Sequence, residues 1–359
     1  MPKHNSSPVS QELWGTGSVL LNASARVMYS LRALGIRRTA ALTGRSLAYY
    51  VRCRNANVCK GRGPAITALS CCSWIRSVED VDIADCAITS ADLQAFISDF
   101  HYPYYYYAGA RRVWYALWHM IGLQACDFTP HSVVLDVGAQ SGIWGKIVRR
   151  KYGCKVFDVD LRYRPGIRGN RIGADARAIP LSAQSVTHIV TFCAFNCFEG
   201  TADIGFIHEA SRLLRPEGKL IIVPLCIADA HVNLYDPVVC TRPDSFDPDA
   251  DRVAWPGWRN NFGRWYDRTA FVHRILANTL DFDKTIWRVR HPRFEGKSSS
   301  EFYVARFTNR SDCSLASNEA KVGALSASLS SPKGGARTHT LRCRTPRGRS
   351  GPHPECRSV

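Results

Sequence analysis

Val133-Val-Leu-Asp-Val-Gly-Ala-Gln-Ser-Gly142 runs apolar and β-branched residues into Asp136 and then into a turn holding Gly138 and Gly142. Ile143-Trp-Gly-Lys-Ile-Val-Arg-Arg-Lys-Tyr152 reads as the helix that follows. A buried parallel strand that ends in such a turn aims backbone N–H groups and a helix N-terminus at one spot. Glycine serves where φ is positive, or where a ligand must approach the main chain without meeting a Cβ. Strand, turn and helix together mark a nucleotide-type cofactor site and leave the cofactor open.

The next seventy or so residues narrow the reading. Cys154-Lys-Val-Phe-Asp-Val-Asp160 is a second apolar strand, closing on a carboxylate 24 residues after Asp136. An acid at that tip accepts the two hydroxyls of a ribose. Arg171-Ile-Gly-Ala-Asp-Ala-Arg177 reads as a third strand, with Asp175 placed where an adenine amino group can be read. Ser185-Val-Thr-His-Ile-Val-Thr-Phe192 is strand four, and Phe206–Arg215 is a helix with apolar 3.6 spacing. Pro216-Glu-Gly218 stops that helix, and Lys219-Leu-Ile-Ile-Val-Pro-Leu225 is strand five. Strands and helices alternating at this spacing predict an α/β fold with a parallel sheet and right-handed crossovers.

From about Val133 to Leu225 the chain resembles the class I S-adenosylmethionine-dependent methyltransferases of the broad small-molecule type, methyltransferase type 11-like. The resemblance rests on Asp136-Val-Gly-Ala-Gln-Ser-Gly142, Asp160, Gly173-Ala-Asp-Ala176 and Glu209-Ala-Ser-Arg-Leu-Leu-Arg-Pro-Glu-Gly-Lys219, in that order and spacing. It continues more loosely to about Phe307. It implies a Rossmann-like sheet with helices on both faces and a terminal antiparallel hairpin. It also implies S-adenosyl-L-methionine as cofactor, with Asp136, Gly138, Gln140 and Gly142 at its amino-acid end and Asp160 at its ribose. Asp175 and Ala176 go to the adenine, and Cys193 joins the cofactor set. Two positions depart from the family pattern. Gln140 replaces the middle glycine of the turn, and Asn196-Cys197 stands where the family often carries Glu-His.

A nicotinamide dinucleotide is the rival cofactor. Its fingerprint wants Gly-x-Gly-x-x-Gly, whereas the glycines here are Gly138, Gly142 and Gly145. Lys284–Arg290 and Phe302–Phe307 read as the terminal hairpin of the methyltransferase fold, which favours sulfonium chemistry.

The charge of +17 is unevenly spread. Residues 1–78 hold eleven Lys/Arg against Glu12 alone, residues 310–359 hold nine against three acids, and residues 79–309 are almost neutral. The organisation expected is a partly helical basic flank (1–78), a methyltransferase domain (79–309) and a disordered basic tail (310–359). Within the domain, 130–225 is the cofactor-binding half and 226–265 an insertion. A near-neutral core argues against a nucleic-acid channel across the catalytic face, so a small-molecule acceptor is the expected partner. Between Leu13 and Val78, apolar faces alternate with arginines and no acid intervenes. Such helices lie on an anionic membrane surface, dock on a core, or act as transit sequences. No stretch approaches the ~20 apolar residues of a spanning helix, and Lys3, His4 and Asn5-Ser-Ser lack the apolar core of a secretion signal. A cytoplasmic location, with peripheral membrane contact through the flank, is the expectation.

Fourteen cysteines without a Cys-x-x-Cys pair predict reduced thiols and no metal site. Functional groups should gather at the carboxyl ends of the strands. His188, early in strand four, is at the opposite end and reads as structural. Asn196, Glu199, Asp229 and His231 follow strands four and five; His231 and Glu199 are the candidate bases. Ser90–Phe100 reads as a capped helix, and Tyr104–Tyr107 and Asn260–Tyr266 as aromatic segments that either meet substrate or pack locally. Three function classes follow. One is a methyltransferase of a small molecule, lipid or sugar. The second is a degenerate interaction protein, supported by Gln140 and Asn196-Cys197. The third is an RNA or protein methyltransferase recruited by its basic flanks.

Overall fold

A computed structural model describes residues 72–100, 110–140, 142–240, 245–255, 258, 260–290 and 301–310. The amphipathic helices expected before residue 72, Tyr104–Tyr107, and the tail beyond residue 310 lie outside the described residues.

In chain order the elements are β1 (Asp82–Ala87), α1 (Ser90–Phe100), α2 (Ala110–Gln124), β2 (Val133–Val137), α3 (Ile143–Tyr152), β3 (Lys155–Val159), β4 (Gly166–Arg168) and β5 (Arg171–Gly173). They continue with β6 (Val186–Phe192), α4 (Ala202–Leu213), β7 (Leu214–Leu225), β8 (Val232–Tyr235), β9 (Asp251–Ala254), β10 (Gly263–Trp265), α5 (Arg268–Arg274), β11 (Phe282–Arg290) and β12 (Glu301–Asn309). Nine strands form one sheet in the order β1-β11-β12-β7-β6-β2-β3-β5-β4, and β10-β8-β9 form a second. The centre, β3-β2-β6-β7, is parallel, and β12 enters antiparallel between β7 and β11. This is the Rossmann-like class I methyltransferase arrangement, terminal antiparallel hairpin included.

Alternation along the central strands sends side chains to two cores. Leu135 and Val137 join one cluster with α4 and α5, while Val134 joins another with α2 and α3. On α2 the apolar residues Val113, Ala116, Leu117, Met120 and Ile121 recur at helical spacing and are all buried. α1 begins with a reciprocal cap: Asp92 N–H donates to Thr89 Oγ1 at 3.1 Å, and Thr89 N–H donates to the Asp92 carboxylate at 3.0 Å.

Three features differ from the sequence reading. The third strand ends at Gly173, two residues short of Asp175, and an antiparallel edge strand β4 pairs with it through the Gly169-Asn170 turn. Strand five starts at Leu214 and runs through Pro216-Glu-Gly218, its pairing with β6 shifting register between Val186 and His188. β1 extends the sheet by a parallel pairing with β11. In addition, Cys72, Ile75 and Val78 lie in the first core cluster, inside the flank that charge alone set apart.

α3 sits hard against β3. Gly142 precedes its first residue at φ 67°, and a Cβ on Gly142 or on Gly145 would collide with the Asp158 carboxylate. Gly145→Ala should therefore destabilise the protein by about 1–3 kcal/mol as an overpacked contact, although alanine ordinarily improves a helix interior by up to about 1 kcal/mol. Urea unfolding measures the sign; a gain in stability would show that the α3–β3 contact is loose.

Candidate functional site

The turn after β2 is tied to the end of β3. Gly138 and Ala139 both donate their N–H to Val159 O, at 2.9 and 3.1 Å. Gln140 N–H donates to Asp160 Oδ2 at 2.7 Å, and Arg162 N–H donates to Asp160 Oδ1 at 2.9 Å. Asp160 is thereby fixed by one backbone donor on each oxygen, with lone pairs left for further donors such as a ribose diol. Gly138 (φ 80°) is required twice over, because its Cβ would also run into that of Ala194. Gln140 adopts φ 50° despite its side chain, which is exposed.

Beneath the turn lie two more buried acids. Asp158 is held by Arg149 Nη2 at 3.2 Å, and burial lifts its carboxyl above the usual range in spite of that partner. Burial, reinforced by Asp158 and Asp160, pushes Asp136 well above the usual range. Asp175 lies beyond β5 in a bidentate pair with Arg177, at 2.7 and 3.0 Å, which holds its carboxyl low. Ala176 is half-buried against the first core cluster.

An open cleft lies at the carboxyl ends of β2 and β6. One side is formed by Asp136, Gly138, Ala139 and Gln140, with Cys193 from just past β6. The other is formed by Tyr115 and His119 of α2, Ile143 and Trp144 of α3, and Phe192. Of the sequence candidates, Asp136, Gly138, Gln140 and Cys193 meet here; Gly142, Asp160, Asp175 and Ala176 surround the turn and β5 without lining the cleft. The aromatic side was missed by sequence reasoning. Its one signal is the i,i+4 spacing of Tyr115 and His119 on α2.

The donor set fits an S-adenosylmethionine-type cofactor. Gly138, Ala139 and Gln140 bring the main chain of the turn to the cleft, and the carboxylate of Asp160 beside it retains free lone pairs. Trp144 Nε1–H, buried at its edge, has no hydrogen-bond partner among the described residues. Among those residues no group of His, Cys, Asp or Glu is arranged to hold a metal ion, and no helix is long and apolar enough to cross a membrane.

Neither candidate base lines the cleft. His231 is buried, with Nε2 at 3.3 Å from Asp247 and Nδ1 at 3.4 Å from Asp249. Beside it Arg264, fully buried, grips both Asp247 oxygens at 2.6 and 2.9 Å and donates to the carbonyls of Phe198 and Gly200. Its Nη1 also lies 3.0 Å from Asp203, which accepts from Tyr266 Oη and Arg274 as well. This clasp fastens the β8–β10 insertion to the loop after β6 and to α4. It also accounts for Asn260–Tyr266: Phe262, Arg264 and Tyr266 point inward, whereas Asn260 and Asn261 are exposed. Glu199 is half-buried in the loop that the clasp holds. His188 pairs with Asp127 at 3.2 Å at the far end of β6.

Residues 135–222 match the family described as Methyltransferase domain. No curated protein sequence matches the chain. Among solved structures, 1,6-didemethyltoxoflavin-N1-methyltransferase of Burkholderia thailandensis is 17% identical, with a TM-score of 0.38 over 61% of this chain and 86% of its own. A geranyl diphosphate methyltransferase is 13% identical, with a TM-score of 0.35 over 62% and 91%. The YcgJ protein of Bacillus subtilis is 12% identical, with a TM-score of 0.34 over 55% and 99%.

The clasp makes two measurable predictions. Arg264→Met leaves Asp247 and Asp203 buried with too little positive charge, so stability should fall by about 3–5 kcal/mol in urea unfolding. Burial opposes ionisation of Asp247, but His231 and Arg264 outweigh it and hold the carboxyl well below its usual value. A depressed carboxylate stabilises the fold above its unfolded pKa of about 3.9, and that contribution is lost as pH falls toward the folded value. Asp247→Asn should therefore be the less stable protein at pH 7 and show a shallower loss of stability below about pH 4.

Proposed function

Taking residues 135–222 as a methyltransferase domain, we propose that the protein transfers a methyl group from S-adenosylmethionine to a small-molecule, lipid or sugar acceptor. The observation that carries this reading is the cleft at the carboxyl ends of β2 and β6, where the glycine turn and Cys193 face a wall of aromatic side chains.

Bound there, the cofactor supplies an electrophilic methyl on a sulfonium, with a neutral thioether as leaving group. Gly138, Ala139 and Gln140 present main chain at the cofactor's amino-acid end. Asp160 receives the ribose hydroxyls, oriented in advance by Gln140 and Arg162. Asp175 reads the adenine amino group while paired to Arg177. Aligning the acceptor with a good leaving group lets positioning carry much of the rate, and α2 and α3 close the cleft around that line. A hydroxyl acceptor also needs a base. His231 and Glu199 remain the sequence candidates, and since neither lines the cleft, their role requires separate measurement of turnover and cofactor affinity in each variant. The aromatic lining and near-neutral core favour a partly apolar acceptor over a polyanion. The basic N-terminal flank is a recruitment arm for an anionic membrane surface in this reading.

Calorimetry with S-adenosylhomocysteine tests it. The full chain should bind, and Asp160→Ala should weaken binding by about 2–3 kcal/mol through lost charge-assisted hydrogen bonds. Undiminished affinity in a folded Asp160→Ala protein would sink this placement of the ribose; no binding at all would leave only the interaction-protein reading.

A further inference from the structure

β3 and β5 are parallel neighbours, yet no helix joins them. The crossover folds instead into the edge strand β4, whose partner in the sheet is β5. Pro165-Gly166 and Gly169-Asn170 punctuate it, with Gly166 at φ 89° and Gly169 at φ 58°. The hairpin is braced against β5. A Cβ on Gly173 would run into the carbonyls of Tyr163 and Arg164, and the Arg171 guanidinium lies over the Tyr163 ring at 5.0 Å. Gly166 stands opposite Gly173 at the carboxyl end of β5, so the hairpin shares an edge of the sheet with the cleft.

Positive charge of the domain collects on this hairpin. Residues 161–177 hold five arginines against Asp175, which Arg177 already pairs, whereas the rest of residues 79–309 holds more acids than Lys/Arg. Arg162, Arg164, Arg168 and Arg171 are all exposed. Arg162 Nε lies 3.9 Å from Asp160, and Arg164 and Arg168 make no ion pair among the described residues. Between those two in the chain comes Ile167. It carries the row Val159–Ile172 out to the edge of the sheet, where it is 50% exposed. The other exposed large apolar side chain among the described residues, Leu161, follows the ribose acid and is left to the cofactor.

We propose that the β4 hairpin docks the protein on an anionic membrane surface, with Arg164 and Arg168 among the lipid headgroups and Ile167 at the boundary with the acyl chains. Each basic side chain near such a surface adds attraction that fades within a Debye length, and an apolar tip adds burial. Ile167 gains nothing from a nucleic-acid backbone. The hairpin's one aromatic ring, Tyr163, is half-buried beneath Arg171 and makes a poor stacking platform for bases. A peptide strand is disfavoured by an edge of three residues that follows a proline and carries charge. The insertion after β7 exposes Asp229, Asp249 and Asp251, so a negative surface meets the domain by its β4 side. For the methyltransferase reading above, which this docking does not require, the consequence is a cleft held beside the headgroups.

The test is flotation of the full chain with phosphatidylcholine vesicles, with and without phosphatidylserine, and with neither methyl donor nor acceptor present. Retention should require phosphatidylserine. Arg164→Gln and Arg168→Gln should each lower it about fivefold at low salt, while Arg168→Lys keeps the charge and should keep the retention. Ile167→Ser should cause a loss that survives added salt, which screens only the arginines. Undiminished retention of the combined Arg164→Gln/Arg168→Gln protein would leave membrane contact to the N-terminal flank and overturn the proposal. So would no retention at all, equal retention without phosphatidylserine, or a loss confined to single-stranded RNA while vesicles are still bound. S-adenosylhomocysteine calorimetry on the same chain keeps the two readings apart. A chain that fails to bind it yet docks through these arginines would lose the methyltransferase reading and keep this one.

Discussion

The approach of α3 to β3 over the Asp158 carboxylate is the constraint from which the site follows. Gly142 and Gly145 leave no room for a Cβ there, and Arg149, one turn further along α3, returns to bind the same carboxylate. That contact fixes where α3 starts. Its start fixes the turn after β2, and the turn fixes Asp160 through Gln140 N–H. It also sets Ile143 and Trp144 against the cleft. A buried acid with one unsatisfied oxygen, Asp158 Oδ1, is a costly foundation. It persists because the backbone of the turn and the helix are both registered on it.

Gln140 shows how a departure from a family pattern is absorbed. A side chain at φ 50° is strained, yet the side chain is exposed, and the N–H of the same residue makes the 2.7 Å bond that holds Asp160. The main chain does what the missing glycine would have done, while the amide is left at the mouth of the cleft. Cys193, at φ 52° past β6, is a second strained residue on the same edge. Both strained residues stand on the same side of the cleft, just past the carboxyl ends of β2 and β6.

How much was legible follows from how local each feature is. β2, β3, β6 and β7 were readable because buried parallel strands carry continuous apolar runs, and the acids that close β2 and β3 fall at the ends of those runs. β4 and β1 were not. β4 is three exposed residues, Gly166–Arg168, and β1 (Asp82–Ala87) holds two acids and a single large apolar residue, Ile83, so neither has a clear hydrophobic signature. Asp160 and the glycine turn could be placed because one strand and its turn hold them. The aromatic wall could not, because Tyr115, Trp144 and Phe192 converge only after the sheet has assembled. His231 shows what a local reading leaves out. A histidine shortly after a central strand reads as a base, but its neighbours Asp247 and Asp249 arrive from a loop some sixteen residues on, and they turn it inward.

The charged and polar groups of the domain therefore divide by what surrounds them. Arg264, Asp203 and Asp247 are buried and, with the half-buried Arg274, saturated with partners, each removing the cost of burying the next. Such a network gains little over an apolar core but permits only one arrangement of the β8–β10 insertion. Around the cleft the pattern reverses. Trp144 Nε1–H is buried among rings with no acceptor among the described residues, and Asp136 is an acid driven toward its neutral form. Arginine and acid are more abundant in the insertion than in the lining of the cleft, and it is there that packing consumes them.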